Sequence, residues 1–188
     1  MAKSNADFPQ IIINSIPAPE LLKPKATEKE LLPYSLGLKE LDSHNPDFIV
    51  MACNTIHIFR EQLQQQTNAP IIDLQNEAKQ FLLSKRIKKI VVFGSPLTIN
   101  SGLFDFSGIL SIKPTSKEQR QISKAVFCFN IGTQKQKQIR LLEKIAGKYS
   151  DKAVLLLACT EISLMLKKMK CSKVDTMDIL LSAVLKRL

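Results

Sequence analysis

Residues 152–170 read "KAVLLLACTEISLMLKKMK". From Ala153 to Ala158 the run is apolar without alternation. A strand with one face in water would alternate. A continuous apolar run marks a strand covered on both faces, as in parallel sheets flanked by helices. At Cys159 the apolar run stops, and Thr160 and Glu161 open a segment that reads as a helix. The same junction occurs about a hundred residues earlier. Residues 50–59 read "VMACNTIHIF", with Ala52-Cys53 closing an apolar run and Asn54-Thr55 following it.

Working outward, the same units repeat. "DFIVMA" (47–52) reads as a buried strand and "NTIHIFREQLQQQ" (54–66) as a helix. "APIIDL" (69–74) is a short strand, followed by a helix through "QNEAKQFLLSKR", and "IKKIVVFG" is a strand ending at Gly94. "KPTSKEQRQISKAVFCFNIG" predicts a helix capped at Thr115 or Ser116 and stopped by glycine. "TQKQKQIRLLEKIAGKYS" predicts another, and "KVDTMDILLSAVLKRL" a short strand with a closing helix. Near the start, the β-branched run of "PQIIINSI" (9–16) reads as a strand. Residues 26–43 carry leucines at helical spacing, interrupted by Pro33 and Gly37. The pattern predicts an α/β protein of two pseudo-symmetric domains, residues 1–86 and 87–177, with parallel sheets flanked by helices. Each domain holds one cysteine junction.

The bulk numbers exclude several classes. No apolar run approaches the roughly 20 residues of a membrane span, and "MAKSNADFPQ" lacks a secretory signal's apolar segment. A soluble, cytoplasmic protein with no membrane partner is expected. The net charge of +10 is scattered along the sequence, without aromatic interleaving, so a solvated basic surface is expected and no nucleic-acid partner. Four cysteines without a CxxC pair, and two histidines, match no common zinc spacing; no metal is expected. Reduced thiols are the default in a chain of this kind.

Ligands of parallel α/β sheets bind beyond the carboxyl ends of the strands. Cys53 and Cys159 both sit there, each ahead of a helix whose free N–H groups and partial positive charge lower a thiol's pKa from about 8.5. Asn54, Thr55, Thr160 and Glu161 add hydrogen-bonding groups beside the sulfurs. Two thiols on similar half-units suit inversion at a carbon. One takes a proton from one face and the other returns a proton to the opposite face, with aimed donors stabilising the carbanion between them. Cys128 falls in a helix and Cys171 in a charged turn, and both read as structural. His57 reads as a core, surface or supporting histidine.

"MACNTIH" and "ACTEIS" resemble the two cysteine boxes of the aspartate/glutamate racemase superfamily, in its aspartate-racemase-like branch. Ala158 stands where the second box usually has glycine. "VVFGSPLTINSGLF" resembles the family's hydroxyl-bearing loop through Ser95 and Thr98, and "VDTMDI" the segment entering its last helix. The resemblance implies a cofactor-independent amino-acid racemase or epimerase acting on a small-molecule amino acid, with its site in a cleft between two domains. By position, Cys53 and Cys159 are the catalytic acid–base pair. Asn54, Thr55 and Thr160 contact the substrate's amino and carboxylate groups, and Ser95 and Thr98 add hydroxyl donors. It further implies a homodimer, and a C-terminal helix (178–188) packed back on the first domain.

Two departures accompany the resemblance. The family opens with a strand and a glycine-rich turn that this sequence does not show, so the first domain is expected to lack its usual first strand, through truncation or substitution by another segment. Aspartate-selective members hold the side-chain carboxylate with an arginine and a lysine. "SIPAPELLK" has no arginine, and Asn130 in "FNIGT" replaces the lysine, so an amino acid other than aspartate is expected. The alternative is an inactive racemase-fold remnant or interaction module.

Overall fold

Chain order gives α1 (Glu28–Asp42), a 3₁₀ turn (Thr55–Phe59), α2 (Arg60–Gln64), α3 (Leu74–Ser84), β1 (Lys89–Gly94), α4 (Pro96–Asn100) and β2 (Leu110–Ile112). There follow α5 (Ser116–Asn130), α6 (Lys135–Ser150), β3 (Val154–Ala158), α7 (Thr160–Met165), β4 (Lys173–Asp175) and α8 (Thr176–Leu185). The structure is a computed structural model and describes Ser4 and residues 8–188. Among the described residues no helix is long and apolar enough to cross a membrane.

One four-stranded parallel sheet, in the order β2-β1-β3-β4, carries the fold. Its two central strands are the apolar runs read as doubly covered, paired from Ile90↔Val154 to Gly94↔Ala158. Alternate side chains serve opposite faces. Ile90, Val92, Leu156 and Ala158 pack with Leu74, Ala78 and Leu82 of α3 and with Ile179, Leu180 and Ala183 of α8. Val91, Phe93, Leu155 and Leu157 face the other way, against Ile122 and Ala125 of α5, Leu142, Ile145 and Ala146 of α6, and Ile162 and Met165 of α7. The α8 helix lies against α3, and Arg187 just beyond it pairs with Glu77 at 2.7 Å.

The helix over 28–42 runs through the interruption expected at Pro33 and Gly37. A capping box between Thr27 and Glu30 starts it. Proline there forfeits one backbone hydrogen bond, and burial of Leu31 and Leu38 offsets the loss. Gly37 serves packing: a Cβ at this position would lie 2.9 Å from Ile16 Cγ2. Asn14 fastens the same segment to α1, its Nδ2 donating to the Gly37 carbonyl (3.2 Å) and to Glu40 (2.8 Å).

The first half differs from the expected sheet. Segments 47–52 and 69–74 run parallel but meet in one isolated bridge, Ile49↔Ile71. Ile49 N–H donates to Pro70 O, and Ile72 N–H to Ile49 O. Residues 9–16 form no ladder. Among the described residues no further strand lies beside these segments to complete their backbone pairing, and a lone bridge is too short to count as a sheet. Ile49, Ala69 and Ile71 instead join a third core with Leu31, Leu38, Phe59, Leu63 and Leu97, while Ile72 packs with the core beneath the sheet.

A candidate active site at the carboxyl end of the sheet

The ends of β1 and β3 lie side by side, so Gly94 and Ala158 are register partners. A Cβ on Gly94 would stand 3.1 Å from the Ala158 carbonyl oxygen and 3.3 Å from Thr98 Cγ2, so a side chain here would make its neighbours give by a few tenths of an ångström. Gln119 Nε2 donates to the Gly94 carbonyl at 3.0 Å and fastens the strand end to α5. Ser95 then caps α4, accepting from Thr98 N–H at 3.1 Å.

Three hydroxyls meet over this turn. Thr55 Oγ1 lies 3.0 Å from Ser95 Oγ and 2.9 Å from Thr98 Oγ1, and Ser95 Oγ donates to Thr98 Oγ1 at 3.0 Å. Thr55 follows Cys53 by two residues, and Thr98 is 1% exposed. The triangle therefore ties the first cysteine junction to the strand ends from which the second one springs.

The two cysteines differ in setting. Cys53 is exposed. Tyr34, whose hydroxyl donates to the Pro19 carbonyl at 2.8 Å, is raised above the ordinary tyrosine range by burial and by the charge of Cys53. Cys159 is the N-cap of α7, in extended conformation. Its Sγ donates to Glu161 Oε2 at 2.9 Å. Burial pushes this thiol up, and the hydrogen bond to Glu161 and its charge add to the effect, to about 12. The lowering expected from a helix N-terminus is overturned. The N–H groups of Ile162 and Glu161 do favour the thiolate, but desolvation and an adjacent carboxylate outweigh them. Burial raises the Glu161 carboxyl too, yet donors from Cys159, its own backbone, Thr160 and Asn130 together leave it below its ordinary value. Thr160 Oγ1 donates to Glu161 Oε2 at 2.8 Å and Asn130 Nδ2 to Oε1 at 3.2 Å.

Asn54 is 2% exposed, and among the described residues neither its Oδ1 nor its Nδ2 has a partner. An unpaired buried amide costs about 1–3 kcal/mol. His57 is buried, lowered by desolvation, and bonds through Nε2 to the Met51 carbonyl oxygen at 3.1 Å, so it braces the loop that carries Cys53. Sequence reasoning missed Tyr34, and it missed Ser163, whose hydroxyl lies 2.8 Å from Asp175 Oδ1 and 3.1 Å from the Cys159 carbonyl. Only the three-dimensional path of α1 and α7 brings these groups in. Cys128 and Cys171 are half-buried and stand apart from the hydroxyl triangle in every contact described.

A profile of the Asp/Glu/hydantoin racemase family matches residues 2–184. The broad-specificity amino-acid racemase RacX of Bacillus subtilis (strain 168) is 29% identical over 104 residues, which cover 55% of this chain and 45% of RacX. A glutamate racemase of Aquifex pyrophilus is 38% identical over 60 residues, 31% of this chain and 24% of the relative. The aligned stretches thus span less than half the length of either curated relative. Among solved structures, the Picrophilus torridus aspartate racemase superposes with a TM-score of 0.73 at 22% identity, covering 86% of this chain and 70% of that one. An aspartate racemase homologue from Pyrococcus horikoshii OT3 gives 0.67 at 20% identity, over 85% and 74%. These likenesses carry the fold, and with the profile match across nearly all of the sequence they make this chain a member of the Asp/Glu/hydantoin racemase family.

Proposed function

We propose that the chain is an amino-acid racemase that inverts Cα with Cys53 and Cys159 as its two bases. The hydroxyl triangle of Thr55, Ser95 and Thr98 is the observation that supports this reading, because it ties the first cysteine junction to the end of β1, the register neighbour of the β3 end that leads into Cys159. The settings of the thiols suit distinct resting roles. Cys159, buried and hydrogen-bonded to Glu161, starts as the thiol that gives a proton. Cys53, the exposed cysteine, takes the Cα proton from the opposite face. The Cα–H electron pair becomes the carbanion's, and a proton from Cys159 completes the inverted centre. The reverse reaction exchanges the two roles.

Asn54 supplies an amide with both ends free for the substrate's carboxylate or amine, which offsets its unpaired burial once substrate is bound. Thr55, Ser95 and Thr160 are half-buried and line the approach, with the buried Thr98 behind them. Two thiols perform both proton transfers, so the reaction as written calls for no cofactor. The groups around Cys159 are Glu161, Asn130 and Ser163, and among the described residues no lysine or arginine is bonded to Glu161. A neutral or basic side chain therefore suits the site better than a second carboxylate.

The test is Cα–H exchange with solvent deuterium over a panel of L- and D-amino acids, with optical rotation read in parallel. The wild type exchanges and racemises at least one neutral or basic amino acid, and Cys53→Ser and Cys159→Ser each abolish net inversion. Racemisation retained in either variant refutes the two-base assignment. No exchange with any substrate refutes the racemase reading itself.

A further inference from the structure

Residues 113–152 hold ten basic residues against three acidic, a balance of +7 out of the +10 of the whole chain. In sequence these charges look scattered. Helical winding gathers them. On α6, Lys137, Arg140, Lys144 and Lys148 fall within an arc of about 80° and extend over about 16 Å. On α5, Lys117, Arg120 and Lys124 occupy an arc of similar width. All seven are exposed. Lys117, Lys144 and Lys148 line one groove between the helices, where Gln121 joins them. Lys135, Lys137 and Arg140 line a second hollow at the hairpin's end. The facing acids are few: Glu118 is tied to Lys148 at 2.8 Å, Glu143 is half-buried, and the exposed Asp151 stands at the far end of α6, one turn beyond Lys148.

We propose that the outer face of the α5–α6 hairpin binds the phosphate backbone of a single-stranded nucleic acid. Successive cations four residues apart stand about 6 Å from one another along the helix, a spacing that a flexible phosphate chain can follow. Glutamines between them (Gln121, Gln134, Gln136) offer polar contacts to the backbone of such a chain. Phe127 shares the arc of Arg120 and Lys124, is 62% exposed, and presents a ring on which a base can stack. The proposal runs against the sequence-level expectation of no nucleic-acid partner, and it is independent of the racemase reading.

Fluorescence anisotropy with labelled oligo(dT) tests it. Four phosphate contacts give a slope of log K against log salt of about −2.8, or about fiftyfold weaker binding at 200 mM than at 50 mM salt. Combined Lys137→Gln, Arg140→Gln and Lys144→Gln lowers affinity at least about tenfold and flattens the slope by about 2. The control of Lys88→Gln, Lys168→Gln and Lys170→Gln removes equal charge elsewhere and leaves binding within about twofold. Phe127→Ala weakens binding about fivefold or more with the slope unchanged. No binding at 50 mM salt, equal loss in the control, tighter binding of duplex than of single strand, or binding of anionic vesicles alone would each overturn the proposal.

Discussion

Replacing Glu161 with glutamine removes the charge beside Cys159 and keeps an amide oxygen within reach of its sulfur. The Cys159 thiol stands at about 12 against an ordinary 9.0, through burial first and then through the hydrogen bond to Glu161 and its charge. That displacement makes its thiolate about a thousandfold rarer at neutral pH, a difference of about 4 kcal/mol. Glutamine leaves burial in place, so only part of the displacement is returned. The sign is fixed: a neighbouring anion penalises thiolate, and its loss lowers the thiol's pKa. The assay is iodoacetamide alkylation across a pH series, in a Cys53→Ser background, read on the Cys159 peptide by mass spectrometry. At about pH 8 the Glu161→Gln protein should react at least about tenfold faster than its parent, a fall of about one pH unit or more in the half-reaction point. An unchanged profile would refute the claim that Glu161 holds the proton on Cys159. The same group sets an alkaline limit on folding. Its folded value is raised, so its contribution is fully present below 9.0 and is lost as pH climbs towards about 12.

Other outcomes follow from single contacts. Glu118 is held down at about 2 by donors from Lys148, Tyr149 and Thr115, so its contribution is full above 4.5 and is lost as pH falls towards 2; Glu118→Gln should cost about 1–3 kcal/mol in urea denaturation at neutral pH and flatten the acid limb. Leu156→Ala empties a fully buried position of β3, and calorimetry should show a loss of about 3 kcal/mol, or about 6–12 °C in melting temperature. Gly94→Ala presses a methyl on the Ala158 carbonyl, so it should lower kcat of the proposed racemase about tenfold or more with a smaller loss of stability, read by paired kinetics and melting.

The parts of the fold that were legible are those where one signal dominates. Unbroken apolar runs marked β1 and β3, and Thr115 or Ser116 marked the start of α5, where Thr115 proves to be the cap. Ladder formation in the first half was not legible, because a β-branched run such as Ile11-Ile12-Ile13 states a preference for extension and says nothing of a partner. The unbroken helix through Pro33 depends on tertiary burial of Leu31 and Leu38. At the site, the residue types at both cysteine junctions were readable. The raised thiol was not, since helix position is local and visible in sequence while desolvation depends on what packs around the sulfur.

Count the protons in the ring of alcohols above the strand ends. Ser95 gives its hydrogen to Thr98; closing the circuit sends that of Thr98 to Thr55 and that of Thr55 back to Ser95. A hydroxyl owns one hydrogen and two lone pairs. Once closed, the circuit has no hydrogen left over, and only one lone pair on Thr55 and one on Thr98 remain free, because Ser95 spends its second on the Thr98 N–H. If the chain is the racemase proposed, a ring wired this way would accept from a substrate's ammonium group and leave its carboxylate to the unpaired amide of Asn54.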